Sequence, residues 1–337
     1  MKDYFVRRLL LIPPTLLGIT LIVFFMTRMV PGGPIERAIA EARQASVTAG
    51  RGGATAGTTL SEEQIQQMRE YYGFDKPWHV SYAHWVGNVL RGDLGRSYLY
   101  NEPVWLVIKS KFPISIYFGI LTVFFTYAIC IPLGIVKAIK HRTWIDNSSS
   151  VAIFAGYAIP NYVLGSILIL IFGARLEWFP LTGLSASQFR YDSLAAIGSL
   201  IHQTTLPLLC YLVSSFAFTT LLMKNTLMDH LAADYMRTAV AKGVSFRRAV
   251  LGHALRNSLI PVATTFGQNI GLILTGSFLI EVIFDIDGFG LLGFSSIVDR
   301  DYPVVMGILL VSSLLLLVGN IISDALVAVI DPRIRFN

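Results

Sequence analysis

Charged residues are scarce in this sequence. Asp, Glu, Lys and Arg make up 14% of its 337 residues, whereas hydrophobic residues make up 54%. Because a soluble domain carries roughly 25% charged residues, the deficit indicates that lipid surrounds much of the chain. The net charge of +6 comes from Lys and Arg beside apolar runs, which favours a membrane surface over nucleic acid as their partner.

Cysteine is nearly absent, and metal-ligand patterns are missing. Cys130 and Cys210 lie inside apolar runs, so we expect passive packing residues and no disulfide framework. The histidines show no ligand spacing with Cys or carboxylates, and we expect no metal site. They are His79, His84, His141, His202, His230 and His253.

The sequence also lacks the motifs of an enzyme. The nearest approach to the phosphate-binding pattern GxxxxGK[ST], "GGATAGTT" at residues 52–59, has no lysine. No serine nucleophile elbow occurs, and the centres of the long apolar runs hold no carboxylate for a proton relay. We therefore expect neither catalysis nor a cofactor in this chain.

Six apolar runs are long enough to cross a membrane, which takes about 20 residues. None has an ionisable side chain in its centre, and the sequence predicts an all-α membrane protein with six transmembrane helices. The first run is too long for a typical signal peptide and is expected to be retained. The runs cover residues 9–27, 113–136, 148–173, 203–223, 257–280 and 302–323.

Lys and Arg near the ends of these runs predict the orientation. Basic residues collect at the N-terminus, after the second run, between the fourth and fifth runs and at the C-terminus. The two short loops on the opposite side hold only Arg175, Arg190 and Arg300. Both termini are therefore expected in the cytoplasm.

The chain is expected to have three parts: residues 1–30 with the first helix, an external loop or cap at 31–112, and a five-helix core at 113–337. Within the external loop, "LSEEQIQQMREYYG" predicts a helix start. Ser61 and Gln64 fit a capping box, and Leu60 and Ile65 fit a hydrophobic staple. A mere tether is the alternative to an ordered cap.

A basic segment at residues 224–257 separates the fourth and fifth runs and is longer than a turn requires. The spacing of its apolar residues predicts two amphipathic helices, with Gly243 ending the first and Ser245 capping the second. The segment is typical of a docking element, although a basic loop that only orients the chain stays possible. The apolar positions are Leu227, Leu231, Tyr235 and Ala239, then Phe246, Val250, Ala254 and Leu259 or Ile260.

Within this segment, "YMRTAVAKGVSFRRAVLGHALRN" resembles the cytoplasmic signature loop of ABC-importer permeases, in its peptide-transporter form. The broad pattern is Glu-Ala-Ala, three residues, Gly, nine residues and Ile-x-Leu-Pro. Ala239, Gly243 and Leu255 match it. The departures are Arg237 and Thr238 at the Glu and first Ala, His253 at the Ile and Arg256 at the Pro.

The resemblance covers nearly the whole chain. It includes "RRLLLIPPTLLGITLIVFF", "GDLGRSY", "YAIPNYV", "IEVIFDIDGFGLLG", "RDYPVVMG" and "IDPRIR", which are similar to the first permease subunit of dipeptide and oligopeptide importers. The glycine-rich insert after the first run, "FPLTGLSASQF" and "SDALVAVIDPRIRF" resemble most closely the microcin C/oligopeptide type.

This resemblance implies the type I importer fold and a set of partners in the prokaryotic inner membrane. The partners would be a second homologous permease in a heterodimer, one or two cytoplasmic ATPases that bind ATP and Mg²⁺, and an external peptide-binding protein. The basic segment would be the helix that couples to an ATPase, and its conformational switching would carry a peptide across the membrane. The coupling residues would be Tyr235, Arg237, Ala239, Lys242, Gly243 and Arg247.

Polar residues at bilayer depth are candidates for a peptide pathway, because such residues face the bundle interior. Hydrogen bonding between helices is the alternative role for each of them. The principal candidates are Asn161, Tyr162, Gln268, Asn269, Thr275 and Asn320, with the serines Ser214, Ser215, Ser312 and Ser313 beside them. Asp324 is expected to pair with Arg256 or Lys140, and Glu281 and Asp285 are candidates for an outer collar.

Two other functions stay open from the residues. A self-sufficient secondary carrier or channel is disfavoured by the lack of an internal inverted repeat or buried carboxylate. A scaffold whose basic segment docks some other cytoplasmic protein is the third hypothesis. The sequence leaves the class of cargo open between dipeptide, longer peptide, peptide antibiotic and nickel complex.

Overall fold

The computed structural model describes residues 2–29, 39, 62–71, 75–181, 183–184, 193–274 and 277–330. Within these ranges the protein is helical, and its only β feature is an isolated bridge between Arg96 and Pro103. Ser61, Leu60 and Thr275 lie outside the described residues, and so do the side chains of Gln64, Ser214 and Gln268.

Thirteen α-helices and two π-helices account for the described elements. In chain order they are α1 (Lys2–Met29), α2 (Glu62–Tyr71), α3 (Trp78–Leu90), α4 (Val104–Ile139), α5 (Trp144–Ala158), α6 (Asn161–Leu168), π1 (Ile169–Arg175), α7 (Leu194–Ala232), α8 (Asp234–Ala241), α9 (Phe246–Ala249), π2 (Val250–Ala254), α10 (Leu255–Leu274), α11 (Phe278–Ile283), α12 (Phe289–Val298) and α13 (Tyr302–Ile330).

Four described helices are long and apolar enough to cross a membrane: Tyr4–Met29, Val104–Ile139, Leu194–Val213 and Tyr302–Ile330. A fifth candidate is the bent pair Trp144–Ala158 and Asn161–Arg175. Helix α10 covers most of the remaining predicted run, but polar side chains interrupt it and it is not among these candidates. The six-helix count therefore stays a prediction.

The third predicted run is not one straight helix, because its two halves meet at 94°. Pro160 causes the break: it cannot donate a backbone hydrogen bond, and it drives Ile159 into an extended conformation with φ −88° and ψ 121°. Asn161 then begins α6 directly after the proline. The bend places Asn161 and Tyr162 at an interruption in the helix.

The basic segment is less separate from its neighbours than the sequence predicts. Helix α7 continues to Ala232, so Leu227 and Leu231 belong to a long helix and not to an independent amphipathic one. After α9 the chain runs through π2 directly into α10 without a turn. Only α8 stands as a separate helix between two long elements.

The chain forms two compact units. The first comprises Met1–Ile12, Ser110–Leu292 and Ser312–Asn337, and the second comprises Pro13–Lys109 and Gly293–Val311. The three-part division predicted from the sequence, 1–30, 31–112 and 113–337, stays a prediction.

In the second unit, hydrogen bonds to Asp301 connect two loops. Its carboxylate accepts hydrogen bonds from the Ser97 hydroxyl and from the backbone N–H groups of Tyr98 at 3.1 Å and Leu99 at 3.2 Å. The side chain is nearly fully buried, and these bonds offset the cost of removing a charge from water. This arrangement joins the "GDLGRSY" and "RDYPVVMG" stretches.

The first unit has two apolar clusters. One packs residues of α4, α7 and α11 around Phe118, Tyr211 and Phe284. The other, called here the lower cluster, lies around the basic segment and buries parts of α4, α7, α8, α9, π2 and α10. Its buried members are Ala138, Met223, Leu227, Met236, Ala249, Val250, Ala254 and Val262.

Glycines allow the close approach of helices in the first unit. A Cβ on Gly134 of α4 would lie 2.7 Å from the Cβ of Met223 on α7. A Cβ on Gly267 of α10 would overlap the backbone of Gly319 on α13. Neither position has room for a side chain, which fixes α4 against α7 and α10 against α13 at short range.

Candidate functional site

The basic segment contains the end of α7 and the start of α8. Ala233 has φ −71° and ψ 147°, which stops the helix, and α8 starts again at Asp234. Asp234 lies in the first turn of α8, where a negative charge stabilises the positive end of the helix dipole. The break allows α8 to leave the axis of α7 while the two helices stay in contact.

Gly243 ends α8 in a Schellman motif, as the sequence predicts. Its φ is +87°, a conformation that costs a residue with a Cβ but not glycine. The Val244 N–H donates to the Ala239 carbonyl at 3.2 Å and the Gly243 N–H donates to the Val240 carbonyl at 2.9 Å. These two bonds satisfy carbonyls that a helix end otherwise leaves unpaired.

One face of the segment is fixed by the lower cluster. Met236 is buried, and Ala239 and Val244 pack beside it, the apolar pair that typically accompanies a Schellman motif. Ala249 and Val250 bury the start of the next helix in the same cluster. Helices α8 and α9 are thus held rigidly against α7 and π2.

The opposite face is exposed and mixes basic with apolar side chains. The Arg237 side chain is 78% exposed, and its guanidinium lies 3.6 Å from the carboxylate of Asp234, whose side chain is 96% exposed. Val240 and Phe246 are 45% and 52% exposed. Lys242, Gly243, Arg247 and Arg248 are also exposed. Apolar side chains rimmed by charges are typical of a surface that binds another protein.

Five of the six predicted coupling residues lie on this exposed face. The exception is Ala239, which packs inward on the lower cluster. The exposed residues are Tyr235, Arg237, Lys242, Gly243 and Arg247. Tyr235 is also oriented by its hydroxyl, which lies 3.0 Å from Nδ1 of His230 on α7.

The predicted apolar face of the second helix is buried only in part. Val250 and Ala254 are buried, whereas Phe246, one regular α-turn before Val250, is 52% exposed. Phe246 is the first residue of α9. Ser245 occupies the predicted N-cap position, but its side chain makes no capping hydrogen bond.

The polar candidates for a peptide pathway lie in two places. Asn161 and Tyr162 begin α6 at the Pro160 break, with Tyr162 exposed. Asn269 on α10 donates from Nδ2 to the Tyr127 hydroxyl at 2.9 Å, and Asn320 lies on α13 beside the Gly267–Gly319 approach. The structure therefore brings the helices of Asn269 and Asn320 together.

Asp324 has a different partner from the predicted ones. Arg8 Nη2 lies 3.0 Å from its Oδ2 and the Tyr4 hydroxyl donates to it at 3.1 Å, whereas Arg256 Nε donates to the Ile330 carbonyl at 2.7 Å. The late part of α13 lies beside the start of α1, which brings Arg8 within reach.

Glu281 is buried and does not form an open collar. Its carboxylate accepts the Leu291 N–H at 2.6 Å and lies against Gly288 and Gly290. Asp285, by contrast, is exposed. Glu281 therefore holds the turn between α11 and α12 in place.

Sequence reasoning missed a buried charge cluster at the start of the basic segment. Asp146 in the first turn of α5 lies between Lys137 of α4 and Lys224 of α7, with Nζ–Oδ1 distances of 3.1 and 2.7 Å. Lys137 is fully buried. The sequence shows part of this cluster, because its three charged residues flank predicted membrane runs. Which of these charges pair depends on how the helices pack.

Comparison with known proteins identifies the family. Residues 130–336 match the family described as "Binding-protein-dependent transport system inner membrane component". The chain belongs to the peptide-permease family of ABC importers. It therefore contains a type I permease domain, and its apolar helices agree with a multi-pass protein of the bacterial inner membrane.

The relatives of this permease match it over their full lengths. The peptidoglycan transport system permease protein YejB of Agrobacterium fabrum is 38% identical, over 100% of this chain and 99% of that protein. The oligopeptide transport system permease protein AppB of Bacillus subtilis is 34% identical, over 100% of both. The dipeptide transport system permease protein DppB of Escherichia coli K12 is 32% identical, over 99% of both.

Proposed function

We propose that this permease is a membrane subunit of an ATP-driven peptide importer. It forms half of the translocation pathway and transmits movement from an ATPase to that pathway, without bond chemistry of its own. The observation that carries this proposal is the full-length similarity to permeases named for oligopeptide and dipeptide transport. The exposed face of α8 and α9 supplies the surface that such a subunit needs.

The exposed face fits a groove on a partner protein. Val240 and Phe246 supply exposed apolar contact area, and Arg237, Lys242 and Arg247 of the same two helices and the turn between them supply exposed positive charge. Met236, Ala239 and Ala249 pack the opposite face into the lower cluster. A displacement of α8 is therefore transmitted to α7 and α10 through packed side chains and not through a flexible loop. The proposed occupant is a cytoplasmic ATPase, which holds the ATP and Mg²⁺.

The proposed topology has six spans with both termini in the cytoplasm. The four long helices and the bent pair supply five spans, and α10 supplies the sixth. This assignment is supported by the close packing of α10 on α13 at Gly267 and by Asn269, whose side chain meets Tyr127 and so faces protein and not lipid. This topology places the basic segment in the cytoplasm, in agreement with its Lys and Arg content.

The proposed peptide pathway uses polar groups on α6, α10 and α13. Asn269 and Tyr127 form a hydrogen-bonded pair that offers donor and acceptor groups to a peptide backbone. Asn161 and Tyr162 contribute at the Pro160 bend, where the helix is interrupted. The full proposed set is Asn161, Tyr162, Gln268, Asn269, Thr275 and Asn320.

The proposed assembly contains a second homologous permease, one or two ATPases and an external peptide-binding protein. The cargo is proposed to be an oligopeptide or dipeptide, or a peptide antibiotic of the microcin C type. The names of the relatives support a peptide, since they specify oligopeptide, dipeptide and peptidoglycan transport.

Purification of the tagged permease in mild detergent, followed by mass spectrometry of stoichiometric partners, tests this proposal. We expect a second permease and one or two P-loop ATPases, and ATP-dependent peptide uptake after reconstitution with the binding protein. A permease that purifies alone and transports peptide without ATP would instead establish a secondary carrier. Another cytoplasmic protein in place of the ATPases would establish a scaffold.

A further inference from the structure

Three helices meet at Asp146. Lys224 Nζ of α7 donates to both carboxylate oxygens, at 2.7 and 2.8 Å. Lys137 Nζ of α4 donates to the Asp146 carbonyl at 2.8 Å and to the hydroxyls of Ser149 and Ser150 at 2.7 Å each. Both ammonium groups are thus held by α5, the helix that carries Asp146.

The cluster is closed from water and tightly built. The side chains of Lys137 and Asp146 are 0% and 3% exposed, and that of Lys224 is 12% exposed. The Arg142 N–H donates to Asp146 Oδ2 at 3.2 Å, and His141 Nδ1 lies at the same distance from that oxygen. A buried ion pair contributes little net stability but holds its partners in one geometry, because breaking it leaves a charge without compensation.

The position of the cluster relative to the basic segment gives it a role. Lys224 lies on the final part of α7, which leads to the break at Ala233 and then to α8. Beside it, Met223 packs against Gly134 of α4 and belongs to the lower cluster with Met236 of α8. Movement of α8 therefore acts first on α7, and the ion pairs of Asp146 hold α7 to α4 and α5.

We propose that the Lys137–Asp146–Lys224 cluster is a positioning site that makes α4 and α5 move together with the basic segment. This inference rests on the proposed function, because it assigns to the cluster the transmission of ATPase movement to the spans. Helix α5 leads to the Pro160 bend and to Asn161, so the cluster links the proposed docking surface to one part of the proposed pathway.

Lys224→Met in the reconstituted importer tests this role. The variant removes one charge, keeps the apolar part of the side chain and leaves the Lys137–Asp146 ion pair, whose net charge is zero. Asp146→Asn, by contrast, would leave two buried ammonium groups without a carboxylate. We expect the complex to assemble and hydrolyse ATP, while the number of peptides imported per ATP falls roughly tenfold, within the usual range of coupling between sites. Lys224→Arg, which restores the charge, is expected to recover most of that ratio.

The matched control is Lys140→Met, the same substitution at an exposed lysine just after α4, and it should leave the ratio unchanged. If the role is merely structural, Lys224→Met lowers peptide uptake and ATP hydrolysis together and leaves the number of peptides imported per ATP unchanged. That result overturns the inference, and so does unchanged peptide uptake in Lys224→Met. If the wild-type complex itself shows no ATP-driven uptake, the proposed function fails as well. A lowered ratio that Lys224→Arg restores supports the positioning role.

Discussion

Replacing Gly243 with valine is expected to reduce ATP-driven peptide uptake by about tenfold or more, while the protein still accumulates in the membrane. Gly243 has φ +87°, and a residue with a Cβ loses about 1–2 kcal/mol in the left-handed conformation, which corresponds to roughly tenfold in an equilibrium constant. The Schellman bonds would break and release Val244 from the lower cluster. The docking surface would then lose the fixed orientation of α8. Uptake into membrane vesicles, normalised to the amount of assembled complex, measures this effect.

Gly243→Asn tests whether the loss of uptake in Gly243→Val comes from the backbone conformation or from the bulk of the added side chain. Asparagine tolerates positive φ, and a Cβ at this position meets nothing within 4 Å, so we expect this variant to keep most of its uptake. Equal loss in both variants would show that any side chain here obstructs a partner, which contradicts the conformational explanation. Full uptake in the valine variant would show that the end of α8 does not matter for transport.

Gly267→Ala is expected to destabilise the fold severely. The added Cβ would overlap the carbonyl of Gly319, and neither group can rotate away, because the position of a Cβ is fixed by the backbone and the carbonyl is itself part of the backbone. Helices α10 and α13 would have to separate, at a cost of about 3 kcal/mol or more. We expect a large decrease in the amount of folded protein in the membrane and a lower midpoint of thermal unfolding in detergent.

The control for Gly267 is Gly198→Ala. Gly198 lies in α7, where a Cβ meets nothing within 4 Å, and alanine is about 1 kcal/mol more favourable than glycine inside a helix. This variant is expected to unfold at the same temperature as the wild type or slightly higher. A Gly267→Ala protein as stable as the control would contradict the close packing of α10 on α13.

Much of the fold follows from the sequence because the spans depend on local composition. The predicted runs at 9–27, 113–136 and 302–323 lie inside α1, α4 and α13. Gly243 was also predictable, since the end of an amphipathic helix requires a residue that accepts positive φ. Each of these features depends on nearby residues and on no distant contact.

The remaining features depend on contacts between distant residues. Phe246 is exposed although Val250, one turn later, is buried, because burial depends on which other helices pack nearby and not on apolar spacing alone. Asp324 pairs with Arg8 across 316 residues of sequence, and Asp146 with Lys224 across 78. Charge counts at the ends of runs predict orientation, but they do not specify which charges meet once the helices pack.

The most direct test of the central claim is photo-cross-linking from position 240 in membranes that contain the whole importer. A photoreactive residue at Val240, in the exposed face of α8, is expected to form an adduct that contains a P-loop ATPase. The same residue at Leu194, at the opposite end of the 39-residue helix α7, is expected to form none. Absence of the ATPase from the Val240 adduct, or its presence in the Leu194 adduct, would contradict the assignment of α8 and α9 as its docking surface.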